Sequence, residues 1–324
     1  MPSPRDILRL CRPGDWTKNA FVLIAFVFWA ANAVRTASTD AVLLKAIAAA
    51  FAFIAFSLAA SGFYCINDAL DAEKDRGHPV KRRRPVASGA VSANLAYGLG
   101  GALIFGAFAM AGVVGKGLIV AVGAYVLLQL AYNGGLKRIV AVDVVTVAAG
   151  FALRAAAGAV AIEVAISVWL VLCVFFLCLY LGFIKRTCDL VVADRARSDW
   201  RTPAAYRGSG ELQWLLCVSG VLTISMYLSY ALSDHAAALF GARATGIALL
   251  APLVVVAIHR FWRRAHEGSS DSPLEALRSD RVLLSVIVAY LALLACILFA
   301  PPASEVLGTV FLQPGSGAGA GMGR

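Results

Sequence analysis

The sequence predicts an all-α, polytopic membrane protein with nine transmembrane helices, and three observations predict it. Sixty per cent of the 324 residues are hydrophobic and the mean hydropathy is +0.78, too apolar for a soluble domain of this size. Apolar stretches of spanning length recur along the chain between short polar loops. The Lys and Arg residues, which give a formal charge of +10, gather in alternate loops, as they do when loop charge orients a protein in a bilayer. In a soluble protein this basicity would point to nucleic acid. Here topology accounts for it, and no nucleic-acid partner is expected.

The first span is expected over Ala20–Val34, after the basic amphipathic stretch RDILRLCRPGDWTKN. The second covers Leu44–Ile66 and ends in an acidic motif. The third and fourth cover Leu95–Val114 and Leu118–Tyr132, the fifth and sixth Ile139–Ile162 and Ile166–Ile184. The last three cover Leu212–Leu232, Thr245–His259 and Val282–Ala300. Residues 1–300 then form a single transmembrane domain, and 301–324, ending GSGAGAGMGR, a flexible tail. No cleavable signal peptide is expected, because the polar N-terminus leads straight into a span.

Cations before the first span and in the 2–3, 4–5, 6–7 and 8–9 loops place these on the cytoplasmic side of the plasma membrane. Every charged cluster of interest shares that face. The seven cysteines include no CxxC and read as small packing residues. The four histidines form no HxxxH pair, so zinc is not expected.

The chemistry concentrates in Ser57–Gly89, SLAASGFYCINDALDAEKDRGHPVKRRRPVASG. Asn67, Asp68, Asp71 and Asp75 follow one another at helical offsets, which places them on one face if the helix continues. Carboxylates crowded at a membrane helix end repel one another, and a hard divalent cation with oxygen ligands neutralises them while leaving positions for phosphate. The bland alternative is a solvated acidic helix end, and the desolvation cost of Asn and Asp at a membrane-facing position weighs against it. A second acidic group, Asp189, Asp194 and Asp199, lies in a loop after the sixth span. Its spacing of five shares no helical face, so a mixed-charge loop is the alternative to a second half of a diphosphate site.

Basic residues stand beside both groups. Lys18 and Asn19 lie at the interface before the first span, and Lys81, Arg82 and Arg84 fill a loop restrained by Pro79 and Pro85. Arginine forks suit phosphate oxygens. Lys137, Lys185 and Arg186 stand at other cytoplasmic span ends. Within the fifth span, Arg154 lies about 16 Å along an ideal helix from Asp143; it is either part of a buried ion pair or a ligand contact. Tyr64, one turn before Asp68, is either a hydrogen-bond donor to a phosphate or carboxylate, or an interfacial aromatic. No Walker A, dinucleotide or GxSxG motif occurs.

The intact NDxxDxxxD pattern at the end of the second of nine expected spans resembles the UbiA-type membrane prenyltransferases over essentially the whole chain. RPGDWTKN, HPVKRRRP, QLAYNGGLK, LRAAAGAVA and LRSDRVL, with the wide Asp189–Asp194 spacing after Lys185–Arg186, resemble the decaprenyl-phosphate phosphoribosyltransferase branch. In that branch the two later acids are Glu where this chain has Asp. The resemblance implies a magnesium-dependent glycosyltransferase moving 5-phosphoribosyl from phosphoribosyl diphosphate to a polyprenyl phosphate, a first step toward the arabinan donor of a cell wall. It implies Asp68, Asp71 and Asp75 as catalytic metal ligands. Lys18, Asn19, Tyr64, Asn67, Lys81, Arg82, Arg84, Lys137, Arg154, Lys185, Arg186, Asp189 and Asp194 are the implied substrate contacts. A homo-oligomer is compatible with it. Two rivals stay open: an aromatic prenyltransferase with a prenyl diphosphate donor, and a transporter or scaffold. The latter would place its polar residues near the bilayer midplane.

Overall fold

The computed structural model describes residues 2–33, 37–77, 81–195, 206, 209–267, 273–300, 307 and 309, and every regular element among them is helical. The chain divides into two compact units, Met1–Ile166 and Ser167–Arg324. Among the described residues, eight helices are long and apolar enough to cross a membrane.

The first unit begins with α1 (Pro4–Cys11), started by Ser3, whose hydroxyl accepts the Asp6 amide, and by Pro4 in the first turn. A left-handed elbow at Arg12 (φ 49°) turns the chain into a 3-10 segment, Pro13–Leu23, which runs on into α2 (Ile24–Ala33). The first expected span is therefore carried by two joined pieces rather than one long α-helix. Ten α-helical residues reach only about 15 Å, half the apolar thickness of a bilayer, so α2 is not one of the eight.

Four long helices follow. They are α3 (Thr39–Leu70), α5 (Ala93–Val114), α6 (Lys116–Gly134) and α7 (Val142–Ala161), with the short α4 (Ala72–Arg76) set just after α3. Ser38 and Ser92 cap α3 and α5 through their hydroxyls. The hub is α3, which packs along α5 and also against the 3-10 segment, α6 and α7. Small residues make its crossings close. A Cβ on Gly62 would lie 2.8 Å from the Gly100 carbonyl, and one on Gly100 would lie 2.9 Å from the Gly62 carbonyl. On α7, a Cβ on Gly158 would collide with the Val22 carbonyl. The core around these crossings is built from alanines and a few large side chains, among them Val22, Phe56, Val122 and Tyr125. Without a hydrophobic drive between helices in lipid, such close backbone contact is what holds them.

The second unit holds α8 (Val168–Arg195), α9 (Ser209–Ala231), α10 (Asp234–Phe240), α11 (Arg243–Leu249), α12 (Ala251–His266), α13 (Pro273–Ser279) and α14 (Arg281–Phe299). Two sequence expectations change here. Asp189 and Asp194 are not in a loop: α8 stays helical eleven residues past the expected end of the sixth span. The eighth span is broken at Leu250, because Pro252 lacks an amide to continue the ladder; the Tyr227 hydroxyl donates to the Ile247 carbonyl at the break. Asp199, Pro79 and nearly all of the tail lie outside the described residues, as does the side chain of Asp194. Between α8, α9, α12 and α14 is an apolar cavity of about 220 Å³, lined by Leu177, Tyr180, Tyr227, Phe261 and Tyr290 among others.

The stretch LRSDRVL has a structural job in this unit. The Asp280 carboxylate accepts the Val282 and Leu283 amides at the start of α14, and Arg260 of α12 donates to it from Nε (3.1 Å) and Nη2 (2.7 Å). The Arg260 guanidinium first, with the two α14 amides, holds this buried carboxyl below the ordinary Asp value.

Two outcomes are expected. In thermal unfolding in detergent, Gly100→Ala should cost about 1–3 kcal/mol, the range for overpacking. Gly158→Ala should cost more, and Gly101→Ala, whose Cβ meets nothing within 4 Å, should be neutral. The depressed Asp280 carboxyl contributes stability that is complete above the unfolded Asp pKa, about 4, and is lost as pH falls through its lower folded value. Wild type should therefore melt above Asp280→Asn at pH 7, and the gap should close below about pH 4.

Candidate active site

The first unit gathers its charges where α3 ends. The i to i+4 backbone bonding continues across the junction, from the Asp71 amide to the Asn67 carbonyl and from the Asp75 amide to the Asp71 carbonyl. The helix nevertheless breaks at Asp71 (φ −93°, ψ 3°) before α4 resumes. Asp68 and Asp75, seven residues apart, keep one face. Asp68 is 1% exposed and Asp75 4%. The Asp71 side chain is 39% exposed, with its carboxylate 3.9 Å from Lys137 Nζ. The expected single face of four polar groups is thus split.

Two arginines close the buried pair. Arg12 Nη2 donates to Asp68 Oδ1 at 2.6 Å. Arg84 Nη1 lies 3.3 Å from the same oxygen and donates to Asp75 Oδ2 at 2.7 Å, bridging the two carboxylates. Each arginine is held in place by the chain around it. Arg84 precedes Pro85, Val86 and Ala87, all buried, and the loop folds back through the Ser88 amide to the Arg84 carbonyl and the Val91 amide to the Pro85 carbonyl. Val86 and Val91 pack with Leu10, Cys65, Ala69, Ala72 and Ala96, so α1, α3, α4 and the basic loop share one small apolar floor. Arg12 sits at the left-handed elbow, its guanidinium 5.0 Å from the centre of the Tyr64 ring. The Ser61 hydroxyl donates to the Cys11 carbonyl (2.7 Å) and accepts from the Trp16 indole (2.9 Å), pinning the elbow on both sides.

The other basic residues differ among themselves. Lys18 is bonded to Asp15 three residues away, at 2.6 Å. Lys81 is half-buried, and burial and the nearby Arg84 push its ammonium below the ordinary lysine value. Arg82 is exposed. In the second unit, Lys185 is exposed and Arg186 lies 3.4 Å from Asp189.

Deeper in the first unit, Arg154 is 7% exposed. Its Nε donates to Asn19 Oδ1 (2.7 Å), Nη1 to the Gly150 carbonyl (2.8 Å) and Nη2 to the Tyr125 hydroxyl (2.9 Å). Asn19 passes the network to Ser57 at 3.0 Å, and Gln129 donates to the same Tyr125 hydroxyl. The guanidinium also lies 4.6 Å from the Tyr125 ring centre and 5.2 Å from that of Phe151. These partners are all neutral, so the ion-pair alternative for Arg154 is not what the structure shows. Asn19, expected as a substrate contact, is instead buried inside this network.

Sequence reading missed Arg12, Tyr125 and Ser61. Arg12 opens RPGDWTKN, and its signal is a cation directly before Pro-Gly, which in sequence looks the same as an orienting charge. Its partner is 56 residues away, and only the elbow shows the meeting.

A magnesium site is expected here. Among the described residues no three His, Cys, Asp or Glu side chains converge to hold an ion, so the trio Asp68, Asp71 and Asp75 is not preassembled. The donors themselves fit a hard divalent cation. Asp68 Oδ2 and Asn67 Oδ1 are buried without a hydrogen-bond partner, an unusual cost that an oxygen-seeking ion relieves. Asp71 and Asp75 stand within two turns.

Comparison with known proteins gives the family. The profile of the UbiA prenyltransferase family matches residues 20–279. A decaprenyl-phosphate phosphoribosyltransferase of Mycolicibacterium smegmatis is 31% identical over 297 residues, 90% of this chain and 92% of its own. A protein of the same description from Corynebacterium glutamicum is 31% identical over 292 residues, 88% of this chain and 84% of its own. The fold is similar to that of a UbiA homologue from Archaeoglobus fulgidus bound to GPP and Mg2+, with a TM-score of 0.62 at 18% identity, covering 90% of this chain and 99% of the other. With the all-helical architecture and the acidic motif ending its longest helix, the chain belongs to the UbiA prenyltransferase family.

Proposed function

We propose that this membrane transferase moves the 5-phosphoribosyl group of phosphoribosyl diphosphate onto a polyprenyl phosphate such as decaprenyl phosphate, releasing diphosphate. The observation that carries the reading is its likeness, over about nine-tenths of both chains, to a decaprenyl-phosphate phosphoribosyltransferase. The positive-inside pattern supports a site opening on the cytoplasmic face, where a soluble phosphorylated donor meets a lipid acceptor.

The residues of the first unit meet the demands of that reaction. Diphosphate leaves the ribose C1 as the C1–O bond breaks, and an acceptor phosphate oxygen forms the new bond to C1. Magnesium held by Asp68 Oδ2, with Asn67 Oδ1 and the Asp71 and Asp75 carboxylates near it, would supply Lewis-acid neutralisation of the leaving charge. Arg12, Arg84 and Lys81 offer cationic donors for phosphate oxygens at the same helix end. Lys137, on the side of Asp71, offers another. The acceptor phosphate is anionic at neutral pH, so it needs positioning rather than a general base. Arg154, behind them, acts through the Asn19–Ser57 network that seats the 3-10 segment carrying Lys18.

Membranes incubated with labelled phosphoribosyl diphosphate and polyprenyl phosphate should yield lipid-extractable label. Purified Asp68→Asn should lose about 10²-fold or more of this activity while its melting profile still shows a folded protein. Label entering lipid only from a prenyl diphosphate plus 4-hydroxybenzoate would replace the reading with aromatic prenyl transfer.

A further inference from the structure

We propose that Arg12 belongs to the donor site as an exchangeable counter-ion. Its guanidinium holds Asp68 while no phosphate is present, and releases the carboxylate to a divalent metal when a phosphate oxygen of the donor takes the guanidinium instead. The inference rests on the function proposed above and adds to it the order in which the site is filled.

The geometry is that of a half-closed carboxylate. Asp68 Oδ1 carries both Arg12 (2.6 Å) and Arg84 (3.3 Å), while Oδ2 is buried with no hydrogen-bond partner. A cation arriving at Oδ2 alone would sit across one carboxyl group from two guanidinium charges, in a place shielded from water. Like charges at that separation oppose one another strongly. A diphosphate removes the conflict, because it brings the metal and also the anion that the guanidinium needs.

Arg12 is the arginine built to change partners. Arg84 is tied to two carboxylates at once, at 3.3 and 2.7 Å, whereas Arg12, equally exposed, bonds Asp68 alone. Its backbone is fixed by the Ser61 hydroxyl on the Cys11 carbonyl, by the Trp16 indole on Ser61 and by the buried Leu10. The exchange is therefore a swing of one side chain over the Tyr64 ring. A planar fork is the group that suits either a carboxylate or a phosphate. Metal and donor should then load together, each weakly alone.

The test is manganese binding by the purified full-length chain in detergent, followed by electron paramagnetic resonance without donor. Arg12→Gln should bind manganese at least about tenfold more tightly than wild type. Arg12→Lys, which keeps the charge and most of the stem, should stay within about threefold of wild type. In wild type, phosphoribosyl diphosphate should raise manganese affinity, and this gain should shrink in Arg12→Gln. Unchanged or weaker manganese binding in Arg12→Gln overturns the proposal, as does equal tightening in both variants. If Arg12→Gln tightens manganese but only a prenyl diphosphate, and not phosphoribosyl diphosphate, raises wild-type affinity, the Arg12 exchange stands and the phosphoribosyl reading falls.

Discussion

Carboxylates buried where a membrane helix ends lose hydration that contact with cations offsets, and in the first unit Arg12 and Arg84 make those contacts with Asp68 and Asp75. Removing one partner of a buried pair costs about 3–5 kcal/mol, because the other is left uncompensated. The surrounding architecture follows from the need to deliver two guanidinium groups. One comes from the N-terminal elbow, which requires α1, a left-handed Arg12 and the Ser61 clasp. The other comes from the loop before α5, which has to fold its Pro85–Ala87 segment inward. The apolar floor shared by Leu10, Cys65, Val86 and Ala96 is the packing that makes both deliveries simultaneous.

The same helix face continues inward as a line of polar side chains. Asp68, Tyr64, Ser61 and Ser57 succeed one another along about 16 Å of α3, and the serines are each taken by the 3-10 segment, Ser61 by Trp16 and Ser57 by Asn19. This explains why Pro13–Leu23 winds as it does. It is bonded side chain by side chain to α3, and its carbonyl at Val22 lies against Gly158 of α7. An uninterrupted apolar α-helix would offer none of these bonds.

Much of this was legible in the residues. Long apolar runs located the eight spanning helices to within a few residues at most of their ends, and the spacing of Asn67, Asp68, Asp71 and Asp75 located the centre of charge. What stayed hidden depended on tertiary contact or on local backbone geometry. The break at Asp71 turns one carboxylate away from the others, which no helical offset foretells. The pairing of Arg12 with Asp68 joins residues 56 apart through a positive-φ elbow at a non-glycine residue. The helical extension of α8 past Ile184 ran against its rising polarity, because Thr187 and Cys188 are buried there. The break before α12 did have a signal, Pro252, inside an otherwise convincing span. Arg154 stands out in a span on sequence alone, but its neutral partners come from its own helix and from two other segments.

That neutral enclosure has an electrical consequence. Where Asp68 and Asp75 are compensated locally by Arg12 and Arg84, Arg154 keeps its full charge among a carbonyl, an amide oxygen, a hydroxyl and aromatic faces. In a medium of low permittivity such a charge is weakly screened and its potential reaches farther than it would in water. At that depth the guanidinium favours an anion as its neighbour and disfavours a bare cation.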